Sequence, residues 1–174
     1  MEWYQIIFEM IDMRSFSNLW YWIALAVLWS SASHWVLGVP FDLITRARSI
    51  GGDAQQDLET LARINVGRLL FIARTSGIWV IGFAFFMISA LTMLGFFYQI
   101  EFAQALMFFI VPMAILGGLS VRSAKLIEAG ENHGAALHRR LSRHRISTQF
   151  LGMVSILVTS MFGMYQNLQI GVLG

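Results

Sequence analysis

The chain contains no cysteine, which excludes a disulfide, a thiolate zinc site, a cysteine-ligated iron–sulfur cluster and a cysteine nucleophile. It has little proline and little charge: charged residues make up 13% of the sequence against 57% hydrophobic. A water-soluble domain carries about a quarter charged residues. Too little polar material is therefore present to cover a surface facing water. No nucleophile-elbow, zinc-protease, P-loop or dinucleotide-binding motif occurs anywhere in the 174 residues. These absences predict an all-α integral membrane protein that is not an enzyme and holds no resident metal or cofactor.

Four stretches are free of Asp, Glu, Lys and Arg and long enough to cross a hydrocarbon core, which takes about 20 helical residues. The expected spans are 17–39, 75–98, 102–121 and 149–170, forming one membrane domain, a four-helix bundle, over residues 1–174. They are continuously apolar rather than alternating, so helices are expected, not barrel strands. The second and third spans are separated by a tight hairpin around Gln99 and Glu101. Trp20, Tyr21, Trp22, Trp35, Tyr98 and Tyr165 gather near the expected interfaces, where amphipathic rings prefer to lie.

Eleven of the twelve Lys and Arg residues fall in the two connectors, 40–74 and 122–148, and only Arg14 lies elsewhere. By the positive-inside rule both connectors are expected in the cytoplasm of a bacterial inner membrane, with both termini periplasmic. Acidic Glu2, Glu9 and Asp12 precede the first apolar stretch, which argues against a secretory signal peptide. Residues 1–12 read as a short helix lying in the outer interface. In the first connector Asp53 is the expected N-cap of a helix running straight into the second span. Leu58, Leu61, Leu69 and Ile72 provide its apolar stripe.

Few residues suit chemistry. His34 is the one histidine within a span, and it offers either a quinone or haem contact or an interhelical hydrogen bond. A bis-histidine haem would need a second histidine in the membrane, and a metal would need convergent partners. His133, His138 and His144 are spaced five and six residues apart, off a common helical face, and are expected to be solvated or lipid-facing. The run Leu137–Arg145 carries Arg139, Arg140, Arg143 and Arg145 beside the fourth span, a pattern suited to anionic lipid head groups or an acidic partner as well as to topology. So short a membrane-apposed loop leaves no room for nucleic acid. Ser155, Thr159 and Gly163 recur every four residues on the fourth span, and Ala114 and Gly118 do so on the third. That small-residue spacing lets helix backbones approach, within the bundle or at a homo-oligomer seam.

The run Phe16–Ala26, followed by Ser33–Pro40, resembles a family of small alphaproteobacterial membrane proteins labelled "component of SufBCD complex". The resemblance continues through Asp57-Leu58 and Arg63-Ile64-Asn65 into Phe102–Ala105. It implies a link to iron–sulfur cluster assembly, in which a chain without thiolates would serve as a membrane docking partner, and it implies no catalytic residue. The leading functional expectation is a membrane scaffold, accessory subunit or assembly factor with a homo-oligomeric or membrane-complex partner. The alternatives are a quinone- or haem-contacting subunit of an electron-transfer complex and an oligomeric channel or carrier for a neutral solute.

Overall fold

The computed structural model describes residues 15–172, with side chains through Gln169, so the expected interfacial helix 1–12 lies outside the described residues. A 3-10 turn, Ser15–Ser17, leads into α1 (Leu19–His34), whose first turn is capped by the Asn18 side chain accepting from the Trp20 amide at 3.0 Å. Two-residue strands β1 (Trp35–Val36) and β2 (Val39–Pro40) form an antiparallel hairpin. Then follow α2 (Phe41–Ile50), α3 (Asp53–Thr92) with a π-helical segment Met93–Phe97, α4 (Glu101–Glu128) and α5 (Gly134–Val172).

Three helical stretches are long and apolar enough to cross a membrane: Asp53–Phe97, Glu101–Glu128 and Gly134–Gln169. The first expected span departs from this. Its uncharged run continues to Val39, but the helix stops at His34 after 16 residues. At 1.5 Å per residue that is about 24 Å, less than the ~30 Å of a bilayer core. The cause lies in the turn. Leu37 and Gly38 take positive φ (52° and 77°), and the Asn65 amide donates to the Gly38 carbonyl at 3.0 Å. A Cβ at position 38 would sit 3.0 Å from that same amide, so glycine is required there.

α3 is 40 residues long, and the connector and span expected to share one helix do so. Its N-cap is Gly52 rather than Asp53, which sits one position further on in the first turn, where a carboxylate favours the helix dipole. The buried stripe is Leu58, Ala62, Val66 and Leu70, a strict four-residue repeat. Leu61 and Leu69 are half-buried and Ile72 is exposed, so the expected stripe was rotated off the true inner face. Gly134 starts α5 at φ 51°, directly after a break at Gly130, and its amide donates to Glu59 Oε1 at 2.9 Å.

The contiguous apolar core lies at one end. Val36, Val39, Ile44, Ala47, the α3 stripe, Ala124, Ile127, Leu137 and Leu141 pack there as one cluster, the cap, contributed by the hairpin, α2 and the polar ends of α3, α4 and α5. At the far end the Phe16 amide donates to Glu101 at 2.7 Å, Ser17 bonds Asn167, and the buried Gln104 bridges Gly95 and Gln166. The 3-10 turn, the α3–α4 hairpin and the last turns of α5 therefore meet at the end opposite the cap.

Candidate functional site

Between α2, the first turns of α3 and the first turns of α5 lies an open cleft of about 630 Å³. Arg48 enters from α2 and Gln55 from α3, while His138, Arg139, Ser142, Arg143 and Ile146 line it from one face of α5. Buried Ala47, small enough to let α2 lie close, sets the width. No carboxylate lines the cleft. Arg48 Nη2 donates to Ser142 Oγ at 3.1 Å, tying α2 to α5 across it. Arg139 and Arg143 are exposed, with no carboxylate within ion-pair distance among the described residues.

His138 Nε2 lies 2.7 Å from Gln55 Oε1, an arrangement that makes Nε2 the donor and leaves Nδ1 a lone-pair acceptor. Nδ1 is buried and has no partner among the described residues. Burial, aided by the Arg48 charge, pushes the His138 pKa down, so the ring is neutral at physiological pH. Behind the cleft, Glu59 accepts from the Gly134 amide, from Gln55 and from His133, and these bonds, Gly134 first, hold its carboxyl below the usual range.

The arginine run is split by its neighbours. Arg140 is taken up by Glu131, Nη2 to Oε1 being 2.8 Å with a second bond from Nε. Arg145 stacks over the Phe41 ring at 3.5 Å and donates to the Ser33 carbonyl at 3.3 Å, pinning α5 to the end of α1. Arg139 and Arg143 are left without a carboxylate partner among the described residues, and Arg48 shares their cleft, which the run alone did not suggest. Spacing along one chain segment gives no hint that an arginine some ninety positions earlier shares its cleft.

The histidine expectation holds for one ring of the three. His133 is exposed, but His144 is 6% exposed, between Ser123 Oγ (3.1 Å) and Ser120 Oγ (3.5 Å) of α4. The α5 period accounts for it. Leu137, Leu141, His144, Thr148, Gly152, Ser155, Thr159 and Gly163 form one continuous buried face crossing from cap to apolar stretch. Desolvation lowers the His144 pKa and keeps it neutral. His34 is exposed at the end of α1, its ring edge-on to Trp35 at 5.6 Å, and no second histidine approaches it among the described residues.

The small residues of α5 pack inside the bundle. A Cβ on Gly152 would lie 2.9 Å from the Trp29 ring, and one on Gly163 would lie 3.4 Å from Phe16. Thr159 Oγ1 donates to the Ser155 carbonyl at 2.7 Å within the same buried face. Ala114 and Gly118 of α4 are exposed, and a Cβ added at Gly118 would meet no neighbouring element within 4 Å among the described residues. Comparison with protein-family models, curated proteins and solved structures found no match.

Proposed function

We propose that the chain is a non-enzymatic multi-pass protein of a bacterial inner membrane that works as a scaffold, accessory subunit or assembly factor. In this reading the cap lies in the cytoplasm, both termini lie in the periplasm, and α1 with its 3-10 turn makes a short fourth crossing beside the three long ones.

One observation carries the reading: the chain packs with two opposite polarities. In the cap, leucines are buried and arginines face out. Along the second half of α3, Ile78, Trp79, Phe83 and Phe86 are 64–83% exposed. Rows of large, mostly exposed apolar side chains are stable where lipid, not water, is the solvent. The arginines gather at the cap end, which sets the orientation. A folded, cation-rich cap is then the largest surface offered to other components. The resemblance noted in the sequence makes the iron–sulfur assembly machinery the partner to test first.

The absence of cysteine makes the topology test direct. Single substitutions Ser49→Cys in the cap and Gln99→Cys at the far hairpin introduce one thiol each. A membrane-impermeant maleimide applied to intact cells with a permeabilised outer membrane should label Gln99→Cys and spare Ser49→Cys. Labelling of both, or the reverse pattern, overturns the orientation. Affinity purification in mild detergent with mass spectrometry should return a stoichiometric partner. A chain that purifies alone with a Soret band or bound quinone would replace the scaffold reading with an electron-transfer one.

A further inference from the structure

We propose that the cleft between α2 and α5 seats the phosphate of one anionic phospholipid, whose acyl chains run along the exposed face of α5. The proposal rests on the membrane reading above and names the ligand class for its cationic cap.

Two observations meet at this place. The cleft is lined by three arginines, Arg48 from α2 and Arg139 and Arg143 from α5, and by no carboxylate, the composition expected for a phosphodiester, which guanidinium groups bind through forked hydrogen bonds. The same α5 face then continues as an apolar track. From Arg139 and Arg143 the helical period leads to Ile146, Phe150, Met153 and Leu157, which are 60–65% exposed. Ile146 belongs to both, lining the cleft and starting the track. A cationic pocket opening onto a lipid-facing strip on one helix matches an amphiphile with an anionic head. A free phosphate would use only the first half, and an acidic peptide would leave the strip unexplained. The other candidates do not show this continuity: Arg140 and Arg145 are occupied within the chain.

The test uses the full chain reconstituted in phosphatidylcholine vesicles with trace spin-labelled lipid, read as the association of spin-labelled phosphatidylglycerol relative to phosphatidylcholine. A preference for phosphatidylglycerol is expected. Arg48→Gln and Arg143→Gln should each lower it about fivefold, the change that follows from ~1 kcal/mol per arginine at an anionic membrane surface. Arg139→Gln, which removes an exposed side chain with no internal bond, covers the case in which loss of the Arg48–Ser142 tie disturbs the cap. Arg63→Gln, an exposed cap arginine outside the cleft, should leave the preference unchanged. An equal loss in Arg63→Gln would mean diffuse attraction and overturn the site. Abolition of the preference by inorganic phosphate, but not by chloride of equal ionic strength, would mean a soluble-anion site and overturn the lipid assignment. If the cleft variants do nothing while Gln99→Cys labels from outside and Ser49→Cys does not, the lipid site fails and the membrane reading stands.

Discussion

α3 is one uninterrupted helix with two kinds of surface, and the contrast between its halves explains the molecule. In its first half Leu58, Ala62, Val66 and Leu70 are at most 4% exposed, while Arg63 and Arg68 of the same turns face out. In its second half the exposed positions are the large apolar ones, with Phe86 at 65%. The first half is held by removal of apolar surface from water. On the membrane reading the second is not, because lipid is as apolar as its side chains, and cohesion in the apolar stretches then falls to close backbone approach and buried amides. Gly152 of α5 against Trp29 of α1, and Gln104 of α4 between Gly95 and Gln166, are instances of those two devices.

The largest effects should therefore come from the cap. Leu58→Ala and Leu141→Ala each remove a fully buried side chain and are expected to cost about 2–5 kcal/mol, read as lost hydrogen-exchange protection of cap amides in reconstituted protein. A cost under ~1 kcal/mol for both would show that the cap is not an independent hydrophobic unit. Next comes the α1–α5 contact. Gly152→Leu drives a side chain into the indole 2.9 Å from the Cβ position and should cost about 1–3 kcal/mol, with partial recovery in the double variant Gly152→Leu/Trp29→Ala. Smaller is Gln104→Ala, about 1 kcal/mol, because interhelical polar bonds in membranes average ~0.6 kcal/mol each and two are lost. A double-mutant cycle with Gln166→Ala isolates one of them.

What could be read from the sequence divides along the same line. The long apolar runs of α3, α4 and α5 are visible because a membrane stretch declares itself by composition alone. The end of α1 is not, because what stops it is Gly38 held by Asn65, a contact made 27 positions away. The cap core is hidden for a related reason. Its α3 stripe includes Ala62, which no hydrophobicity pattern singles out beside Leu61, and tertiary packing chose the smaller residue. At the cleft, Arg139 and Arg143 stood out as part of a dense basic run. Arg48 did not, because only folding brings α2 against α5. The spacing between histidines does not reveal that His144 is buried; its register with Leu137, Leu141 and Thr148 on α5 does.

Acid should loosen the cap before it affects the apolar stretches, by a smaller margin than the core substitutions do. His138 and His144 have pKa values lowered by burial in the folded cap. As pH falls through the ordinary histidine range, the unfolded chain takes up protons that the folded chain does not, so stability declines with falling pH and is recovered above that range. At still lower pH, Glu59 loses its bonds to Gly134 and Gln55, a further loss of the same sign. The protection factor of cap amides, taken relative to the intrinsic exchange rate at each pH, should fall with acidification in the native chain and fall less steeply in His144→Gln. An equal slope in the two would show that the buried ring is not the responsive group.

The smallest expected effect tests the comparison most sharply. Phe86 lies on α3 some 28 positions after Leu58, and on hydrophobicity alone its loss should matter more than that of leucine. Phe86→Leu should nonetheless change stability by no more than about 0.5 kcal/mol in a reconstituted bilayer, because the side chain is 65% exposed and, on the membrane reading, most of it faces lipid before and after. The same substitution in detergent should be equally silent. A loss of about 1 kcal/mol or more would mean that a second protein surface, not lipid, covers this face, and the exposed row from Ile78 to Phe86 would then be the seam of an oligomer. That outcome would move the division between the halves of α3 from one of solvent to one of partner, and leave the cap unchanged.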